Sequence, residues 1–172
     1  SNLWLSGPPG TGKTVSVTRA LMLNDWLIFY FTLDGFTGLT AHQLLREICR
    51  YLLDRVGLDD SDLKNDCSLP EVLRHFTRAL ATQDNSAEIA IFIEEIPINS
   101  ESEYSRFMEL AYHLSMLREQ GGFSCKLLWV FTSLVDPEEY LNEKREKIRE
   151  RFDFLRLASW TDERSEEHTS EL

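Results

Sequence analysis

Gly7-Pro8-Pro9-Gly10-Thr11-Gly12-Lys13-Thr14 follows directly on the apolar triplet Leu3-Trp4-Leu5 and precedes a helix-forming stretch, and it fits the pattern G-x-x-x-x-G-K-[ST]. The glycines remove Cβ atoms that would keep backbone N–H groups from converging on phosphate oxygens. The helix that follows turns its positive end toward the same point. In such a loop Lys13 reaches the β- and γ-phosphates of a nucleotide and the Thr14 hydroxyl ligates Mg²⁺. The plain alternative is a glycine turn between a strand and a helix. Background composition makes a chance match in a chain of this length a roughly one-in-a-hundred event or rarer.

Outward from the loop, five short apolar or β-branched runs alternate with longer segments of helical period: residues 3–5, 26–31, 89–93, 127–132 and 152–157. The third and fourth are almost wholly apolar, as strands covered on both faces are. This alternation predicts an α/β fold, a parallel sheet with helices on both sides. Leu44, Ile48, Leu52 and Val56 recur every four residues and predict a helix over 41–56. Ser68-Leu69-Pro70-Glu71 has the form of a capping box and opens a second. Tyr104, Phe107, Met108, Ala111 and Leu114 give a third its apolar face, with a stop at Gly121-Gly122. Asp136-Pro137-Glu138-Glu139 opens a fourth, and Lys144, Arg145, Lys147, Arg149 and Arg151 crowd toward its negative end.

The chain has 172 residues, 18 Lys+Arg against 29 Asp+Glu and a net charge of −11. Such a balance is repelled by phosphate backbones and argues against tight nucleic-acid binding by this stretch alone. No apolar run is long enough to span a membrane and no signal-peptide layout opens the sequence, so a soluble, cytoplasmic protein without membrane contact is expected. Cys49, Cys67 and Cys125 are odd in number and share no short spacing, which suggests neither a disulfide framework nor a zinc site. The four histidines have no metal spacing, and the four tryptophans read as packing residues.

The octapeptide GPPGTGKT resembles the Walker A loop of AAA+ ATPases. The resemblance implies a P-loop NTPase core, a three-layer α/β/α sandwich whose five-stranded parallel sheet has the order 5-1-4-3-2, with ATP and Mg²⁺ as cofactors. Ile89-Ala90-Ile91-Phe92-Ile93-Glu94-Glu95 is similar to the family's Walker B. By that match Glu94 assists Mg²⁺ and Glu95 is the general base for the attacking water. Glu94 stands where the family usually has Asp, and its extra methylene loosens the fit to magnesium's tight octahedron. The end of the fourth strand, Thr132-Ser133, is similar to sensor 1, with Ser133 as the first choice and Thr132 in reserve. Arg151 lies where initiator and clamp-loader-like members place an arginine finger, which acts on a neighbouring subunit and implies a homo-oligomer.

No N/T-K-x-D segment follows the fourth strand, which favours ATP over GTP. The reading is therefore an ATPase core over residues 1–163 that drives conformational change in an oligomer, with a protein or DNA client bound through domains outside this chain. Without a lid after the fifth strand, the fragment by itself is expected to turn over little or no ATP. A signalling switch of the STAND or NACHT type remains open, since Tyr30-Phe31-Thr32 before Asp34-Gly35 and the Thr132-Ser133 pair resemble it, although Leu134 replaces that family's arginine. A nucleotide-binding assembly module that does not hydrolyse is a third reading. The last nine residues, 164–172, lack period and apolar content and are expected to be disordered. They match the translation of a common sequencing-read adapter, so the native sequence is expected to end near Glu163; finding this peptide in the resequenced locus would overturn that expectation.

Overall fold

The computed structural model describes residues 2–10, 12–33, 36, 38–140 and 146–157. The five expected strands form as β1 (Asn2–Ser6), β2 (Leu27–Thr32), β3 (Glu88–Glu94), β4 (Lys126–Ser133) and β5 (Phe152–Arg156). They make one sheet in the order β2-β3-β4-β1-β5, every pair parallel, which is the expected 5-1-4-3-2 read from the other edge. Interior strand β3 carries five consecutive buried residues, Ile89 to Ile93, because helices cover both of its faces.

The helices are α1 (Lys13–Leu23), α2 (Ala41–Arg55), α3 (Leu69–Ala81), α4 (Glu101–Gln120) and α5 (Glu146–Arg151). Each of α2, α3 and α4 starts at a hydroxyl that accepts an amide N–H of its first turn: Thr40 from Gln43 at 3.1 Å, Ser68 from Glu71 at 3.4 Å and Ser100 from Glu103 at 3.2 Å. Gln43 returns a bond to the Thr40 amide at 2.9 Å, a full capping box that the apolar period alone did not reveal. α4 stops at Gly121, where φ is +71°. The helix expected from Asp136 begins as a single 3₁₀ turn, Pro137–Tyr140, with the Asp136 carboxylate accepting the Glu138 amide at 2.9 Å. Residues 141–145, and with them Lys144 and Arg145, lie outside the described residues, and Arg149 and Arg151 occupy the last turn of α5.

Strand alternation divides the core into two layers. Trp4, Ile91, Ile93, Trp129 and Phe131 face α2, α3 and α4, where they join Leu45, Ile48, Phe76, Phe107 and Leu114. Leu5, Ala90, Phe92 and Val130 face α1, packing on Val17 and Leu21. The three cysteines are buried and unpaired, and burial pushes the Cys49 thiol up to about 12. Among the described residues no helix is long and apolar enough to cross a membrane.

His75, at 9% exposure, accepts a bond at Nδ1 from the Arg78 guanidinium at 3.2 Å. Burial, then the charges of Arg78 and Arg74, hold its pKa below the ordinary 6.5. The unfolded chain therefore takes up the proton first. The stability due to neutral His75 is complete above pH 6.5 and is lost as pH falls through the folded-state pKa. Urea midpoints measured on either side of pH 6.5 should show this loss in the parent chain, and a smaller one in His75→Gln.

Candidate nucleotide-binding site

Residues 7–14 join β1 to α1 at the carboxyl edge of the sheet, where open parallel sheets hold their ligands. The Gly7 amide donates to the Ser133 carbonyl at 3.1 Å, and the Leu157 amide donates to the Ser6 carbonyl at 2.8 Å, so the loop leaves the sheet pinned between β4 and β5. A Cβ on Gly7 would sit 2.5 Å from the Leu157 carbonyl oxygen. Gly7→Ala should therefore cost about 1–3 kcal/mol through overpacking against backbone, which a urea titration would read directly.

Gly10 (φ +80°) and Gly12 (φ +73°) take left-handed conformations that turn the chain back over the start of α1. Gly12 is the N-cap of α1 and supplies no side-chain acceptor, in contrast to the hydroxyl caps of α2, α3 and α4. The first amides of α1 thus open toward a cavity of about 330 Å³ lined by Pro9, Gly10, Gly12, Lys13, Thr14 and Glu95. Lys13 is 6% exposed, and its ammonium donates to the carbonyls of Gly7 at 2.9 Å and Pro8 at 3.3 Å. A helix N-terminus and a buried ammonium close together are features that would suit an anion. Thr11 lies outside the described residues.

The two carboxylates at the end of β3 both border Thr14, in adjoining spaces. Glu94 shares the α1 face of β3 and lines a groove of about 680 Å³ with Thr14, Thr18, Arg19 and Tyr30. Glu95 leaves the strand at φ +53° and lines the loop cavity itself. A left-handed non-glycine residue costs on the order of 1–2 kcal/mol and collects at functional sites. Thr14 and Glu94, which line one groove, offer oxygens of the kind Mg²⁺ takes, since it binds to one or two carboxylates and keeps water and substrate phosphate as its other ligands.

The Ser133 hydroxyl is engaged within the sheet. It accepts the Trp4 indole N–H at 2.9 Å and donates to the Val135 carbonyl at 2.6 Å, on the sheet face turned to α4. Thr132 is the residue beside the acidic pair, its hydroxyl accepting the Glu95 amide at 2.8 Å. The signal was in the sequence: alternation puts 132 with Leu128 and Val130 on the α1 face, and 133 with Trp129 and Phe131 on the other. Arg151 lies at the opposite, amino-terminal edge of the sheet. There its guanidinium pairs with Glu119 at 2.7 Å, lies 3.4 Å from the Ser115 hydroxyl and rests over the Tyr112 ring. It takes no part in the cavity of its own chain.

This architecture, an all-parallel sheet in the order 5-1-4-3-2 with a glycine-rich loop between β1 and α1, is the α/β fold expected from the sequence. No family model matches the sequence, and no curated protein does. Solved structures do match. They include the Aeropyrum pernix ORC1 protein in complex with DNA (TM-score 0.55, 16% identity, 92% of this chain and 39% of that one). The Aeropyrum pernix ORC2 protein in ADPNP–ADP complexes gives 0.56 and 18%, covering 91% of this chain and 41% of that one. Drosophila ORC bound to DNA gives 0.58 and 18%, with 91% and 37% covered. The likeness is one of fold, and the chain spans about two fifths of the length of these structures.

Proposed function

We propose that this chain is an ATP-binding core that hydrolyses ATP within an oligomer. The observation that carries the reading is the cavity where the uncapped start of α1, the buried Lys13 ammonium, the Thr14 hydroxyl and the Glu95 carboxylate meet. On this reading the amides of residues 7–14 and Lys13 bind the phosphates, and Lys13 exchanges its loop carbonyls for phosphate oxygens. Thr14 and Glu94 hold Mg²⁺, which when bound neutralises phosphate charge and favours attack on the γ-phosphorus. Glu95 accepts the proton of the attacking water at its carboxylate. Arg151 serves the site of an adjacent subunit after exchanging its pairing with Glu119 for contact with phosphate, since it lies at the far edge of its own sheet.

The solved structures of the same fold that hold ADPNP and ADP support nucleotide as ligand. Two of the proteins named above are bound to DNA. With a net charge of −11 on this chain, we place any DNA or protein client on segments outside it. The direct test is ATP binding and phosphate release, measured on the chain as it stands and on assembled protein. Binding with turnover only in the assembly is the expected result. Tight binding with exchange but no turnover in any assembly would instead favour the signalling switch or the non-hydrolysing module.

A further inference from the structure

β3 and β4 pair in regular parallel register as far as Ile93 and Phe131. Beyond that step Thr132 meets the continuation of β3 twice: its carbonyl accepts the Ile96 amide at 2.8 Å, and its hydroxyl accepts the Glu95 amide at 2.8 Å. A side-chain oxygen thus serves as acceptor for the amide of a left-handed residue. Only two non-glycine residues among those described have positive φ, Glu95 and Asp25, and Asp25 lies in an exposed turn after α1. A strained conformation persists where its surroundings hold it. The Thr132 side is fully buried, so water does not compete for the bond. Ser133 cannot do the same work, because Trp4 and Val135 already occupy its hydroxyl.

We infer that Thr132 is a positioning residue for Glu95: its hydroxyl holds the Glu95 amide in the left-handed form that sends the carboxylate into the loop cavity. An extended residue 95 would continue the alternation of β3 and carry its side chain to the face shared by Ile91 and Ile93, away from Lys13 and Thr14. The inference rests on the reading of Glu95 as the base, but the hold on its amide is a separate physical claim. It requires a hydroxyl, which serine supplies and isosteric valine does not.

The experiment uses Thr132→Val and Thr132→Ser in the full chain. The Glu95 amide should exchange slowly with solvent in the parent and in Thr132→Ser, and about tenfold or more faster in Thr132→Val. In assembled protein, Thr132→Val should lower kcat by about 10- to 100-fold with KM for ATP nearly unchanged, and Thr132→Ser should recover most of it. In a Glu95→Gln background, single-turnover rates should fall no further on adding Thr132→Val. A full additional loss there would mean that Thr132 acts on phosphate directly and would overturn the inference. An unprotected Glu95 amide in the parent would overturn it without any variant, should Thr132→Val fail to fold. Equal turnover by the parent and Glu95→Gln would remove the base while leaving the exchange result to judge the hold.

Discussion

A Lys13→Ala chain should bind ATP about 10²- to 10³-fold more weakly than the parent, the expected cost of removing one partner from a buried charge pair. The size follows from where the ammonium sits. At 6% exposure, against the carbonyls of Gly7 and Pro8, it is already held beside the cavity, and meeting phosphate asks only that it exchange those two bonds. Arginine is a poor replacement, since its planar fork does not fit between two loop carbonyls that a compact ammonium bridges. The fold should survive, because Pro8 is exposed and water can take its released carbonyl, which leaves only that of buried Gly7 without the ammonium. Titration of a fluorescent ATP analogue, with circular dichroism as the control, checks both parts. Unaltered affinity in Lys13→Ala would move the ligand away from this loop.

Glu95→Gln should keep ATP bound and slow hydrolysis by about 10²- to 10⁴-fold, the usual contribution of a general base. Glutamine keeps the length and the backbone N–H bond to Thr132 but replaces one acceptor oxygen by an NH₂ donor and removes the charge, so the side chain can no longer take a proton. The matching change at Glu94 should behave differently. Glu94 faces the groove along α1 with Thr14, and Glu94→Gln should chiefly alter the magnesium dependence of turnover. Phosphate release at several magnesium concentrations separates the two. If Glu95→Gln hydrolysed ATP at the parent rate, the assignment of the base would fail.

The path of the sheet was readable because its signals are local and redundant. Ile89 to Ile93 is too apolar for anything but a strand covered on both faces, and the loop at residues 7–14 names its own flanking strand and helix. What the sequence left open at the site has one physical origin. The roles of Thr132 and Ser133 depend on which face of β4 each occupies and on the partner already waiting there. Chemically similar hydroxyls one residue apart end up with opposite employment. The start expected at Asp136 takes 3₁₀ form for a related reason: Pro137, Glu138 and Glu139 are good first-turn residues, and they suit a 3₁₀ turn as well as the opening of an α-helix.

The junction of Gly7 with Ser133 and Leu157 bears on the order in which this molecule is assembled. Three segments far apart in sequence must meet before the loop at residues 7–14 has a fixed exit from the sheet, and the last of them follows β5. The loop's fixed exit thus depends on a highly non-local closure of the chain, the kind that costs most loop entropy. Ligand capture then reports on completed folding. A nucleotide present during refolding should act late, raising the population of fully docked β5 by mass action while leaving the early rate of collapse unchanged.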